Sequence, residues 1–240
     1  MKCRYLLSVF LILAIFLSAC SLNGRKYSYN NLTSEQSITE FCEVLSSHAV
    51  PSEDIDRLIG FIRAYSKESY AEKELQGSWK KATITEPLYD YTEAINCYQS
   101  SPFEDINCRK AAFLMYHSFL KTPDFPVGDS EMEEALFATF DSGQSVDDAV
   151  KGYWKSQNIE FAGSDIHLVS LWGKKNGEIT NLHCGVLLEN EGNTYFFEKV
   201  DPIMPYQISI FGSTEDMKAY LLNRTKEYED ITVFLDDELI

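Results

Sequence analysis

Apolar residues recur at helical spacing through the first two thirds of the chain, then switch to strand-like alternation. Thr33 or Ser34 can cap a helix that carries Ile38, Phe41, Val44 and Leu45 on one face. Pro51 and Ser52 open a second helix, with Ile55, Leu58, Ile59 and Ile62 in register. A third is expected from Pro87 to about Cys97, and a strongly apolar fourth from Cys108 to Leu120, after the break at Ser101-Pro102. Acidic helices are expected near 130–140 and 146–156, while residues 70–86 are mixed, with Trp79 as their anchor to the core. Beyond them Ile166–Trp172, Leu182–Leu188, Thr194–Val200, Tyr206–Phe211 and Ile231–Leu235 read as strands, and a helix capped by Ser213 runs to Asn223. Asn190-Glu191-Gly192-Asn193 carries a hairpin signal. Helices first and antiparallel strands second predict an α+β fold: one domain over 32–240, helical over about 32–160 and sheet-forming over about 161–240.

The first 19 residues do not fit that domain. Lys2 and Arg4 precede thirteen nearly all apolar residues, Tyr5–Leu17, and small residues follow. That run is shorter than the roughly 20 residues that span a bilayer, and its flanks are those of a secretory signal. Leu17-Ser18-Ala19-Cys20 resembles the bacterial lipobox. The resemblance implies cleavage before Cys20, acylation of that residue, and an anchor at the outer face of a bacterial membrane. Residues 20–31 are then the lipidated Cys and a polar tether.

Charge narrows the partners. The chain carries a formal −16; without Lys2 and Arg4, 19 basic side chains face 37 acidic ones, a net −18. Such a balance disfavours nucleic acid and anionic lipid surfaces. Cys3 leaves with the signal and Cys20 takes the lipid, so Cys42, Cys97, Cys108 and Cys184 remain. None has C-x-x-C spacing, so neither metal nor cofactor is expected. A Cys42–Cys97 disulfide is open in an oxidising compartment.

Chemistry concentrates at Cys108. It opens a helix, where outward amides and the helix dipole stabilise a thiolate, and Asp105 or Asn107 can cap that helix. A nucleophilic Cys needs a base, normally His, and a group that orients it. His117 lies nine residues along the same helix and is out of reach. His48 ends the first helix, and His167 lies on a predicted strand. His183 begins "HCGVLLE", one arm of the hairpin, and "TYFFEKV" in the other arm carries Glu198. A loop centred on Asn190-Glu191 sets the two directly opposite; one centred on Glu191-Gly192 makes them diagonal neighbours on one face. Alternation groups Tyr195 with Phe197 and Glu198 with Phe196, so the carboxylate shares an apolar face. Cys184 points away from His183 and reads as core. Gln99, Tyr89 and Asn107 are candidate oxyanion donors beside the Cys108 amide.

Cys on a helix start, then His and an acid on adjacent strands, resembles the order in papain-like and NlpC/P60-type cysteine hydrolases. A fuller resemblance rests on "YSYNNLTSEQS", "DINCRKAAFLM", "HCGVLLENEGNTYFFEKVDPIMPYQISIF" and "MKAYLLN". It is to an uncharacterised family of Firmicutes lipoproteins known only as domain of unknown function 4300. Its motifs map to Asn107-Cys108-Arg109, His183 with Gly185, Glu198-Lys199 and Pro205-Tyr206-Gln207. The resemblance groups Cys108, His183 and Glu198 as catalytic, with Arg109, Asn107 and Gln207 as substrate-binding candidates, but supplies no activity. Arg109 and Lys199 default to solvated surface positions.

Three expectations follow. The first is an anchored cysteine hydrolase or amidase (Cys-His-Glu) acting on peptidoglycan or surface-protein amides. The second is a non-catalytic surface lipoprotein that binds a ligand or partner on the same scaffold. The third, a redox-active thiol protein, lacks a close Cys pair in the sequence.

Overall fold

A computed structural model describes residues 24–68, 77–100, 105–121, 129–175, 177–190, 192–225 and 227–240. Cys20 and the signal segment lie outside the described residues.

The fold is α+β. Its elements are β1 (Lys26–Asn30), α1 (Glu35–Ser47), α2 (Ser52–Glu68), β2 (Lys80–Thr83), α3 (Tyr91–Ser100), α4 (Cys108–Tyr116), β3 (Leu120–Lys121), α5 (Asp129–Leu136) and β4 (Phe140–Asp141). There follow α6 (Val146–Ser156), β5 (Glu160–Phe161), β6 (Ile166–Lys175), β7 (Glu178–Asn190), β8 (Asn193–Lys199), β9 (Tyr206–Phe211), α7 (Thr214–Arg224), β10 (Glu229–Leu235) and β11 (Glu238–Leu239). Nine strands form one antiparallel sheet in the order β11-β10-β6-β7-β8-β9-β1-β2, with β4 beside the start of β7.

Helices cover both faces of the sheet. Leu168, Val186, Leu188 and Phe197 point into a core shared with Phe41, Leu58, Phe113 and Trp154 of α1, α2, α4 and α6. The alternate residues Val169, Leu171, Leu187 and Phe196 pack under Met217, Tyr220 and Leu221 of α7. Burial on both faces is why β6 reads as a nearly unbroken apolar run. Each fully buried Leu or Phe contributes about 1.5–3 kcal/mol, so these central strands are the most strongly specified part of the sheet.

The strand positions follow the alternation closely, with four revisions elsewhere. Residues 26–30, expected within the tether, form β1 between β9 and β2, and bury Tyr27 and Tyr29 against α7. Five residues alternating Lys/Ser with Tyr are a strand pattern, but a short one beside a polar segment. Trp79 is 42% exposed rather than a core anchor. The fourth helix ends at Tyr116, where His117–Phe119 tighten into a 3₁₀ turn, and α3 begins at Tyr91 rather than Pro87.

One irregularity positions the site. Strand β7 pairs with β6 along its length, but on its other side it meets β4 only at Glu178 and Ile179, and β8 only from Gly185 onward. A bulge at Leu182 interrupts the β6 pairing in the same stretch. Residues 180–184 therefore face a gap in the sheet, and the N-terminus of α4 sits against it: the Arg109 guanidinium donates to the Asn181 carbonyl at 2.9 Å.

Candidate active site

Cys108 is the first residue of α4. Asn107 is the cap: its backbone is extended, and its side-chain oxygen accepts from the Lys110 amide at 2.9 Å. The whole run Ala111–Tyr116 is buried, so the helix is clamped in the core while its start stays partly accessible. The Cys108 sulfur lies against the Cys184 thiol, the His183 side chain and the Cys184 backbone N–H. The Cys184 contact is the largest of the influences that hold the Cys108 thiol well below its usual range; burial opposes it, and His183 adds to it by hydrogen bond and charge. The helix start acts in the same direction.

The hairpin closes with Asn190 opposite Asn193, and Gly192 has φ +78°. Gly185 then lies opposite Glu198, which makes His183 the diagonal neighbour of that carboxylate. The His183 Nε2–H donates to Glu198 Oε2 at 2.7 Å and leaves the other ring nitrogen for Cys108. Burial alone would lower the imidazole pKa, but the bonds to Cys108 and Glu198 raise it to about 9. Gly185 has no room for a side chain, since an added Cβ would meet the Phe197 carbonyl at 2.4 Å and the Phe196 ring at 2.6 Å.

Glu198 is fully buried and has four side-chain partners. Besides His183 it accepts from Arg224 Nη1 at 2.6 Å, from the Tyr220 hydroxyl at 2.5 Å and from Gln207 Nε2 at 3.5 Å. Burial pushes its carboxyl pKa up, but Arg224 and then His183 outweigh this and hold it near 2. The Arg224 guanidinium is anchored in turn by the Val200 carbonyl at 2.6 Å. Tyr220 and Arg224 sit four residues apart on the sheet-facing side of α7, which is why one helix supplies both.

Lys199, expected at the surface, is fully buried instead. Its ammonium pairs with Asp105 and lies 3.7 Å and 4.3 Å from the Tyr65 and Tyr206 ring centres. Asp105 also accepts from the Tyr206 hydroxyl at 2.5 Å and from the Ile106 amide at 2.8 Å. Desolvation pulls the lysine pKa down to about 8 against the pull of Asp105.

The structure brings Cys108, His183 and Glu198 together and places Asn107 and Arg109 at the helix start. Asn107 is exposed, and Arg109 is engaged by Asn181. Gln207 is fully enclosed: it donates to Ser209 Oγ at 2.9 Å and accepts from the Tyr89 hydroxyl at 2.5 Å, so it lies behind Glu198 rather than in an open cleft. The other histidines are occupied elsewhere: His48 between the Val44 and Glu189 carbonyls, His117 with Asp54, and His167 with Asp236. Among the described residues no disulfide joins Cys42 to Cys97. The premise that no close Cys pair exists is corrected, because the fold sets Cys184 against Cys108. Sequence reasoning missed Arg224 and Tyr220; their spacing of four in a helix packed on the hairpin was the available signal.

The family model described as a domain of unknown function (DUF4300) matches residues 28–138 and 125–235. No curated protein and no solved structure matches the chain.

Proposed function

We propose, for a chain that belongs to the DUF4300 family, that it is a cysteine hydrolase of the amidase or peptidase type. The observation that carries this reading is the line from the partly accessible Cys108 sulfur to the His183 ring beside it, and from that ring by a 2.7 Å hydrogen bond to the buried Glu198. A thiolate beside an imidazolium is the resting state that such a line favours, because each group's charge stabilises the other.

In this reading the Cys108 sulfur attacks an amide carbonyl carbon. The developing oxyanion meets the Cys108 backbone N–H, which points out of the first helical turn without an intrahelical acceptor. His183 gives its proton to the departing amine and leaves a thioester on Cys108. It then takes a proton from water as that water releases the acid, and the thiolate returns. Glu198 stays ionised, fixes the ring orientation and stabilises the imidazolium. Arg224 and Tyr220 keep that carboxylate ionised and immobile, so they are positioning residues.

The lipobox-like Leu17-Ser18-Ala19-Cys20 supports a lipid-anchored protein at the extracytoplasmic face of a bacterial membrane. The amides within reach there are those of peptidoglycan stem peptides and of neighbouring surface proteins. The order of Cys, His and acid on helix and antiparallel strands supports a papain-like relationship.

The test is activity-based labelling of the full chain with an electrophilic cysteine probe, with and without cell-wall fragments as competitor. Labelling confined to Cys108, lost in Cys108→Ala and slowed by the fragments, is the expected result. Labelling that the fragments leave unchanged, with no amide cleaved, favours the non-catalytic ligand-binding lipoprotein.

A further inference from the structure

The Cys184 thiol makes and breaks no bond in the amide hydrolysis proposed above, yet it is 1% exposed, lies at the gap in β7, and packs in the same core cluster as Cys108 with its thiol against that sulfur. Cys108 is partly accessible at a helix start, while Cys184 is buried. An accessible thiolate backed by a buried thiol is the arrangement in which the first sulfur meets an oxidant and the second resolves the product.

We propose that Cys108 and Cys184 form a reversible disulfide through a sulfenic acid on Cys108, with a hydroperoxide as the oxidant. The Cys108 thiolate attacks the terminal peroxide oxygen. An S–O bond forms, the O–O bond breaks, and the leaving oxygen departs as water or alcohol with a proton from the His183 imidazolium. The sulfur is oxidised by two electrons and the peroxide is reduced. Cys184 then attacks the sulfenic sulfur, an S–S bond replaces the S–O bond, and the hydroxyl leaves as water with the Cys184 proton. An external dithiol restores both thiols by exchange and is itself oxidised to a disulfide. Neither sulfur then passes to the irreversible sulfinic state.

This inference does not rest on the hydrolase reading, since a chain that cleaves no amide can still form the bond. The experiment treats the purified full chain with hydrogen peroxide at neutral pH and follows it by intact mass, peptide mapping and thiol labelling. The wild type becomes two hydrogens lighter, its 108-containing and 184-containing peptides are joined, and dithiothreitol restores full Cys108 labelling. In Cys184→Ala the same treatment adds two oxygens at Cys108, and dithiothreitol restores no labelling. Cys184→Ser, closer in shape, serves if the alanine variant does not fold. Sulfinic acid on wild-type Cys108 with Cys184 still reduced overturns the proposal, as does a disulfide from Cys108 to Cys42 or Cys97.

Discussion

At the residue scale, the site is built around one buried carboxylate. Glu198 holds His183 on one oxygen and Tyr220 on the other, and Arg224 supplies the opposing charge. Replacing Glu198 by Gln keeps the shape and removes the charge that raises the His183 pKa. Each pKa unit lost by the imidazole corresponds to about 1.4 kcal/mol of weaker thiolate–imidazolium pairing. Glu198→Gln is therefore expected to slow Cys108 alkylation at neutral pH by roughly tenfold or more, read by stopped-flow with an alkylating probe. An unchanged rate contradicts the role given to Glu198. Acidity gives a second outcome. The Cys108 thiol is depressed and His183 is raised to about 9. If the chain cleaves amides as proposed, its rate is expected to follow a bell with the acid limb well below the ordinary thiol range and the alkaline limb near 9, the two belonging to the coupled pair. Alkylation, which needs no general acid, follows the acid limb alone.

At the scale of elements, β8 joins the two halves of the site. Its successive residues point to opposite faces: Glu198 toward α7, where it holds His183, and Lys199 toward α4, where it holds Asp105 three residues before Cys108. Removing one partner of a buried ion pair leaves an uncompensated charge, typically at about 3–5 kcal/mol. Lys199→Met is expected to destabilise the chain by that order and to slow Cys108 alkylation. Lys199→Met with Asp105→Asn recovers part of the loss in a double-mutant cycle of denaturant unfolding. Additive losses contradict the link. The hairpin was legible because Tyr195 with Phe197, and Phe196 with Glu198, alternate as a strand buried on both faces must. The gap at residues 180–184 was not: it depends on the two-residue strand β4, which no periodicity can reveal, and on a bulge at Leu182. Lys199 was misplaced for a related reason. A lysine in a strand is solvated by default, and only Asp105, Tyr65 and Tyr206, distant in sequence, make its burial tolerable.

At the scale of the whole molecule, the pH dependence of stability carries the sign of its buried acid. The Glu198 carboxyl is held near 2, below its value in an unfolded chain of about 4.3. Its contribution is fully present above the unfolded value and is lost as pH falls through the folded one. Denaturant midpoints of the wild type are expected to drop more steeply between about pH 4.3 and 2 than those of Glu198→Gln; parallel curves contradict this. Placement is a separate matter. Mass spectrometry of the membrane fraction is expected to find a diacylglyceryl group on Cys20, and an unmodified start elsewhere removes the anchor from the account. The α+β order could be read along the chain, since it is a local pattern. The site could be read only in part, because its second thiol comes from the docking of α4 against β7.

The central claim is that Cys108 is a nucleophile made by its neighbours. The direct measurement is the neutral-pH alkylation rate of each of Cys42, Cys97, Cys108 and Cys184, in wild type and in His183→Ala, resolved by peptide mass spectrometry. The account predicts that Cys108 reacts well ahead of the other three, and that His183→Ala removes most of that lead. Equal rates at all four thiols, or a Cys108 rate indifferent to His183→Ala, contradicts it.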